Sequence, residues 1–346
     1  MRRPTINDVA ADCGVSKATV SLVLRDSPQI GKATKQRVRE SMARLGYVYN
    51  RRAADMRTDR SRTLGLVATD VRNPYFAELM MAIEEAASKA GYTLLQGFSR
   101  DEAPRQRQLL EAMVEHRIDG LVLLPAHGSR PEDLLETLGA ASLPHVLITR
   151  SIRGYESDYV GADNVRSGQL VGEHLSSLGV STVAFLGGAK GSSSRNDRVK
   201  GLRSGLRRGG VTLPPELSLS ATRGEGGASV LDGLLARGKC PDAIVAYNDM
   251  YAFGILNGLR SRGIIPGRDV AVSSFDDVPD AVHQEPPLTS AAGHPELVGA
   301  EATRLLLERF EDHDRLPQTV LIDAELPLRT STTAWAARPV ARRPTE

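Results

Sequence analysis

The sequence predicts two fold classes in one chain. A small all-α head of three helices covers about residues 1–49, and a larger α/β body of two doubly wound parallel-sheet subdomains covers residues 63–336. Three observations carry this. The chain has 346 residues, more than one hydrophobic core usually serves. Residues 1–62 hold 14 basic and 6 acidic side chains, a balance of +8, whereas the remainder holds 30 basic and 36 acidic ones, a balance of −6. From Thr63 onward, short apolar runs alternate with helical patterns, the texture of a parallel sheet covered by helices on both faces.

In the head, Thr5-Ile-Asn-Asp8 has capping-box spacing and opens a first helix through Val9 and Ala10. Gly14 can take the left-handed conformation of the turn, and Ser16 is a fresh N-cap. The second helix, about Lys17 to Leu24, puts Val20, Val23 and Leu24 on one face and leaves Lys17, Ala18 and Ser21 pointing elsewhere. After Asp26-Ser27-Pro28, a third helix from about Lys32 carries Val38, Met42 and Leu45 until Gly46 stops it. Asn50 to Thr58 are good helix formers without an apolar stripe of their own, so a helix there should be marginal alone, and Asp59 to Arg62 read as a polar linker.

In the body, strands are expected at Leu64 to Ala68, Tyr92 to Gln96, Gly120 to Leu124, Val146 to Thr149, Thr182 to Leu186, Ala243 to Ala246 and Val270 to Ser273. Helices are expected at Tyr75 to Ala90, Arg105 to Glu115, Arg166 to Leu178, Arg198 to Arg208, Ala228 to Ala236 and Met250 to Gly263. Alternation over ~270 residues is too long for one open sheet, which favours two subdomains. The last ten residues, 337–346, read as a flexible tail without leucine heptads, so no coiled coil is expected from them.

Composition excludes several classes. Hydrophobic residues at 41% and charged residues at 25% do not fit a disordered or fibrous chain. The start, Met1 to Asp8, lacks an apolar signal region, and no window approaches the roughly 18 apolar residues of a membrane span, so a cytoplasmic protein is expected. Cys13 and Cys240 form no CxxC pair; structural thiols are expected, with no disulfide framework and no metal site. A basic head on an acidic body is the electrostatic footprint of polyanion binding, because phosphate contacts dominate non-specific affinity for nucleic acid.

Pro4-Thr-Ile-Asn-Asp-Val-Ala-Ala-Asp-Cys-Gly-Val-Ser-Lys-Ala-Thr-Val-Ser21, then Leu45-Gly-Tyr47 and Asn50 to Arg57, resemble the headpiece of the lactose/galactose repressor (LacI/GalR) family. The likeness continues through Gly65-Leu-Val67, Asn73-Pro-Tyr-Phe-Ala-Glu78, Asp119-Gly-Leu-Val122, Arg198-Val-Lys-Gly201, Asn248-Asp249 and Ser274-Phe-Asp-Asp277, over nearly the whole chain. The loop Gly187 to Arg195 is similar to that of maltose-regulon-repressor-like members. The resemblance implies a helix-turn-helix headpiece on a bilobal, periplasmic-binding-protein-like domain. Its N-subdomain would comprise about residues 63–161 and 293–322, and its C-subdomain about 162–292 and 323–336. It further implies a transcription regulator, usually a repressor, that binds palindromic double-stranded operator DNA as a homodimer and is switched by a small carbohydrate or sugar phosphate.

For the DNA side, the resemblance places helix two in the major groove, with Lys17 and Ala18 reading bases and Thr5, Ser16, Thr19, Ser21 and Asn50 at phosphates. Thr19 could equally pack, and Leu22 stands where such proteins often carry a polar reader, so base preference does not transfer. Ala53 and Met56 fall in the hinge, Met56 as an apolar wedge for the minor groove. For the effector side, the carried-over residues are Asp70, Asn73, Tyr75, Phe76, Arg198, Asn248 and Asp276, in the cleft between subdomains. Arg150 and Arg195 are further cations that would suit a phosphate or acid, or else lie solvated at the surface. Thr149 stands where many members have aspartate, and Gly226-Gly227 near where several have an aromatic residue, so ligand identity does not transfer.

Two rival readings fail on the residues. Leu186-Gly-Gly-Ala-Lys-Gly191 lacks the glycine spacing of a dinucleotide-binding enzyme, and His116, His174 and His283 form no catalytic or zinc pattern. No catalytic residue and no cofactor is therefore expected. An exported solute-binding protein would share the bilobal body but has no use for a +8 head.

Overall fold

The computed structural model describes residues 4–24, 26–47, 60–221, 224–238 and 240–336. The chain falls into two compact units, Met1–Ser61 and Arg62–Glu346. The expected hinge contacts Asn50, Ala53 and Met56, and the expected flexible tail, lie outside the described residues.

In the first unit, α1 spans Ile6–Asp12, α2 Lys17–Leu24 and α3 Lys32–Leu45. The capping box at α1 is formed: Thr5 N–H donates to Asp8 Oδ2 at 2.7 Å, and Thr5 Oγ1 accepts from Asp8 N–H at 3.4 Å. At α2 the Ser16 hydroxyl accepts the Thr19 N–H at 3.1 Å, satisfying one of the donors a helix start leaves open. Gly46 ends α3 at φ 65°. Val9, Ala10, Cys13, Val20, Val23 and Val38 form the core, which Met42 and Leu45 only flank. Ser41 is fully buried instead, its hydroxyl donating to Asp12 at 2.5 Å, so α3 is tied to the end of α1 by a polar contact that an apolar stripe does not reveal. Of the two thiols, Cys13 packs in this core but Cys240 is exposed, so the structural-thiol expectation fails for the second.

In the second unit, β1 is Thr63–Ala68, α4 Pro74–Lys89, β2 Thr93–Phe98, α5 Ala103–Glu115, β3 Gly120–Leu123, α6 Pro131–Leu134 and β4 His145–Ile148. There follow β5 Asp158–Ala162, α7 Asn164–Ser177, β6 Val183–Leu186, α8 Ser193–Arg207, β7 Ser218–Leu219, α9 Gly227–Leu235 and β8 Ala243–Ala246. The chain ends with α10 Asp249–Arg260, β9 Ala271–Asp276, β10 Thr289–Ala292, α11 Pro295–Glu311, β11 Thr319–Ile322 and α12 Thr330–Ala336. The strands make a six-stranded sheet, order β11-β5-β4-β3-β1-β2, and a five-stranded sheet, order β10-β9-β8-β6-β7. All their paired neighbours run parallel.

Each sheet is buried on both faces, as parallel sheets require. In the first lobe Leu64, Leu66, Val122, Val146 and Ile148 face one core, and Val67, Leu121, Leu123 and Leu147 face the other. The chain crosses between lobes after β5, after β10 and after β11, so α11 packs on the first sheet while Trp335 of α12 joins the core of the second.

The seven expected strands and six expected helices of the body all occur, with ends shifted by a few residues. Strands β5, β7, β10 and β11 and helices α6, α11 and α12 were not anticipated. Strand β5 opens on Asp158, which reads as a loop residue. It is fully buried, accepting from Arg309 Nε at 2.7 Å, both Arg315 Nη atoms at 2.8 Å and Gln318 N–H at 2.8 Å, and thereby fixes the segment leading into β11. Among the described residues no helix is long and apolar enough to cross a membrane.

Candidate DNA interface and effector cleft

On the head, Ser16, Lys17 and Ala18 are exposed at the start of α2, and Thr19 and Ser21 are half-buried. Thr5 is exposed, with its hydroxyl donating to Asp8 Oδ2 at 2.7 Å; the Ser16 and Thr19 hydroxyls are hydrogen-bonded to each other at 2.9 Å. Two carboxylates of the head are occupied by its own cations. Asp12 accepts from Arg44 at 2.5 Å, and Asp26 accepts from Lys35 at 2.8 Å and Arg39 at 3.4 Å. Lys17 has no carboxylate among these pairs, which leaves a cation and a methyl group side by side where α2 begins.

In the body, the fold brings five of the expected effector residues together. Asn73 caps α4, its Oδ1 accepting from Tyr75 N–H at 3.1 Å, and its Nδ2 donates across the lobes to Asp276 Oδ2 at 2.8 Å. Asp276 ends β9 at φ 106°, a conformation costly for a side-chain-bearing residue and found where the surroundings over-determine it. Its other oxygen accepts from Arg198 Nη2 at 3.2 Å. Arg198 spends its remaining nitrogens on Asn164 Oδ1 at 2.7 Å and the Tyr247 carbonyl at 2.5 Å, with its guanidinium 5.0 Å from the Tyr247 ring centroid and 4.8 Å from that of Phe275. Burial pushes the Asp276 carboxyl up, and Arg198 and Asn73 pull it back part of the way. Tyr75 is buried beside this pair, and burial raises its hydroxyl too. Phe76 packs edge-on against Tyr75 at 5.4 Å.

The other expected residues are committed elsewhere. Asp70 is held by Arg72 of its own loop through Nε and, at 2.5 Å, Nη2. Asn248 caps α10 by accepting from Tyr251 N–H at 3.2 Å. Arg195 donates to the Gly187 carbonyl at 2.9 Å and Ser218 Oγ at 3.1 Å beneath the Phe185 ring, so it is a buried structural cation and not a solvated one. Arg150 donates to Asp101 at 2.6 Å and the Pro125 carbonyl at 3.2 Å, and lies against Tyr247 of the other lobe.

Sequence reasoning missed Asn164, Tyr247, Asp101 and Ser193. Burial pushes the Tyr247 hydroxyl up, but the guanidiniums of Arg150 and Arg198 more than reverse it. Ser193 Oγ accepts from Ser151 N–H at 3.0 Å, a further contact between lobes. Tyr247 and Asn164 each follow the end of a strand, and recognising β5 would have placed Asn164 at the cleft.

Comparison with known proteins decides the family. The model of the lacI family of bacterial regulatory proteins matches residues 5–50, and that of the periplasmic binding protein-like domain matches residues 173–332. The HTH-type transcriptional regulator CelR of Thermobifida fusca is 31% identical over 338 residues, covering 95% of this chain and 98% of that protein. The chain belongs to the lacI family. This lacI-family member is therefore a DNA-binding transcription regulator and not an enzyme. The regulator DegA of Bacillus subtilis is 30% identical with the same coverage. The maltose regulon regulatory protein MalI of Escherichia coli is 28% identical over 94% of this chain, so the loop likeness to that subgroup does not set it apart from CelR or DegA. Among solved structures, a CelR–cellobiose complex superposes with a TM-score of 0.72 at 29% identity, covering 95% of this chain and 100% of that one. The lac repressor dimer bound to operator and an anti-inducer superposes at 0.83 with 23% identity, covering 96% and 99%, a likeness of fold.

Proposed function

We propose that this lacI-family regulator is a cytoplasmic repressor that binds a roughly palindromic operator as a homodimer and is switched by a neutral, polyhydroxylated carbohydrate held between the lobes. Charge balance carries the choice of effector. Arg198 is matched by Asp276, Arg150 by Asp101 and Arg72 by Asp70, while Arg195 turns to a carbonyl and a hydroxyl of its own lobe. A sugar phosphate would need an accessible unmatched cation to repay its desolvation, and Arg195, the one of the four without a carboxylate, is buried on acceptors of its own lobe; vicinal hydroxyls suit paired donors and acceptors such as Asn73, Arg198 and Asp276. The CelR complex with cellobiose, an uncharged disaccharide, supports the same class. Titration calorimetry of the full chain against neutral mono- and disaccharides and their phosphates should find saturable binding among the neutral set. Binding confined to phosphorylated sugars would sink this reading.

On DNA, α2 would enter the major groove with Lys17 donating to guanine and Ala18 packing on a thymine methyl, supported by the exposure of both. Thr5, Ser16, Thr19, Ser21 and Asn50 would hold phosphates, with Ala53 and Met56 of the hinge at the minor groove. The head would comprise residues 1–49, the hinge and linker 50–62 and the effector-binding body 63–336. Lys17→Ala should cost about 1–3 kcal/mol on a selected operator and relax preference at one base pair, read by competition binding. Met56→Ala should weaken specific binding more than non-specific binding. The logarithmic salt slope should be about −0.9 per phosphate engaged. Equal affinity for all duplexes before and after both changes would remove the DNA-reading assignment of these residues.

A further inference from the structure

Asp249 is a fully buried carboxylate at the first position of α10, and among the described residues no cation is paired with it. A buried charge without a counter-ion is costly, so its contacts must account for its presence. They all converge on one turn. Asp249 Oδ1 accepts from the Ser274 hydroxyl and, at 2.7 Å, from the Ser290 hydroxyl, while Oδ2 accepts from the Val278 N–H at 2.8 Å. The Ser290 oxygen in turn accepts from the Asp277 N–H at 3.0 Å.

The turn held in this way is strained. Asp276 has φ 106° and Asp277 φ 51°, two consecutive side-chain-bearing residues in the left-handed region, where each is costly. Its product is the placement of Asp276, whose two oxygens meet Arg198 and Asn73. The charged groups around Asp249 are few. At the end of β9 the Asp276 carboxylate repels it; ahead of α12, Arg329 is taken by Asp277 at 2.5 and 3.1 Å; on α8, Arg198 is taken by Asp276 at 3.2 Å; and β10 presents only the Ser290 hydroxyl to it. Burial, then the Asp276 charge, raise the Asp249 carboxyl to about 7, and its three donors pull it back only part of the way.

We propose that Asp249 is a positioning residue for effector binding, its two oxygens holding Asp276 and Asp277 in the turn that sets Asp276 between Asn73 and Arg198. This rests on the reading of Asp276 as an effector contact. A carboxylate suits the task because every partner donates to it. A proton on either oxygen puts a donor where the turn requires an acceptor, and the turn loosens. Effector affinity is therefore tied to pH in the range where Asp249 titrates, and it falls on acidification.

Two measurements on the full chain test this. The first needs no effector: amide hydrogen exchange of residues 274–280, corrected for the intrinsic rate at each pH. Exchange of the Asp277 and Val278 amides should speed up severalfold as pH drops from about 8 to about 6, and in Asp249→Asn it should be fast at both. Exchange in α7 and α8 should be the same in both proteins, which separates a loosened turn from a loosened body. Ser274→Ala removes one donor to the carboxylate and should move the inflection to higher pH by about one unit; it also serves if Asp249→Asn does not fold. The second measurement is calorimetry with cellobiose and the other neutral saccharides of the panel above. Affinity should be about tenfold lower at about pH 6 than at about pH 8, the limit for one group titrating near 7, and Asp249→Asn should bind weakly without that inflection. If no saccharide binds, the carbohydrate reading fails and the exchange result alone decides on Asp249. The same exchange profile in Asp249→Asn as in the parent, which would assign the titration to Asp276, or an inflection unmoved in Ser274→Ala, would overturn the proposal.

Discussion

Gly201→Ala should unfold or severely destabilise the sensor body, by about 3 kcal/mol or more, the upper end of what forced overpacking costs. A Cβ on Gly201 would lie 1.9 Å from the Val165 carbonyl oxygen, and one on Gly168 would lie 2.2 Å from the Arg198 carbonyl oxygen. Both obstacles are backbone, so no rotamer change relieves them; α7 and α8 would have to separate. That contact is also what lets Arg198, on α8, reach Asn164 at the start of α7 with its Nε at 2.7 Å. Loss of the helix contact should therefore remove effector binding together with stability. Gly233→Ala provides the control. Gly233 is exposed within α9 and its Cβ would meet only Leu219 Cδ2 at 3.8 Å. Adding a methyl group there should be neutral or stabilising by up to about 1 kcal/mol, the helix propensity difference. Urea or thermal unfolding of the two variants checks both, and a Gly201→Ala protein as stable as the parent would show that the helices are not locked at this point.

What was legible in the sequence follows from how local each signal is. The three head helices could be placed because caps, turn glycine and apolar spacing all lie within a few residues of one another, as Thr5, Ser16 and Gly46 illustrate. Buried parallel strands such as Ala243–Ala246 stand out as apolar runs. Strand β10, Thr289–Ala292, does not, because its burial is tolerated through distant partners: the Thr289 N–H donates to Ser331 Oγ at 2.8 Å and the Ser290 hydroxyl to Asp249 at 2.7 Å. No periodicity reports contacts some forty residues apart. Helix α11 does carry a local signal, since Val298, Ala302, Leu305 and Leu306 form a helical stripe. In the cleft, resemblance supplied Asn73, Arg198 and Asp276 individually. That they form one buried chain, and that Asp70 instead closes on Arg72, depends on backbone directions at strand ends that a one-dimensional pattern does not carry.

Replacing Arg198 by methionine should abolish the effector response and cost the body about 3–5 kcal/mol, because it leaves the Asp276 carboxylate buried without its cation. Methionine keeps the packing between the Tyr247 and Phe275 rings, which isolates the charge from the volume. The pH dependence follows from the sign of the shift. Burial already raises the Asp276 carboxyl above its ordinary value, and removal of Arg198 raises it further. A carboxyl so raised binds its proton more tightly folded than unfolded. Its stability contribution is full below the ordinary carboxylate range and is lost as pH climbs through the folded value. The variant should therefore approach the parent in stability at acidic pH and fall progressively behind as pH rises. Adding Asp276→Asn removes the stranded charge, so Arg198→Met/Asp276→Asn should recover much of the stability near neutral pH without recovering the effector response. Unfolding midpoints of the parent, both single variants and the double variant across pH give the coupling directly. Additive losses in the double variant would mean that the two side chains are held by their surroundings and not by each other, and the cleft would have to be switched through Asn73 alone.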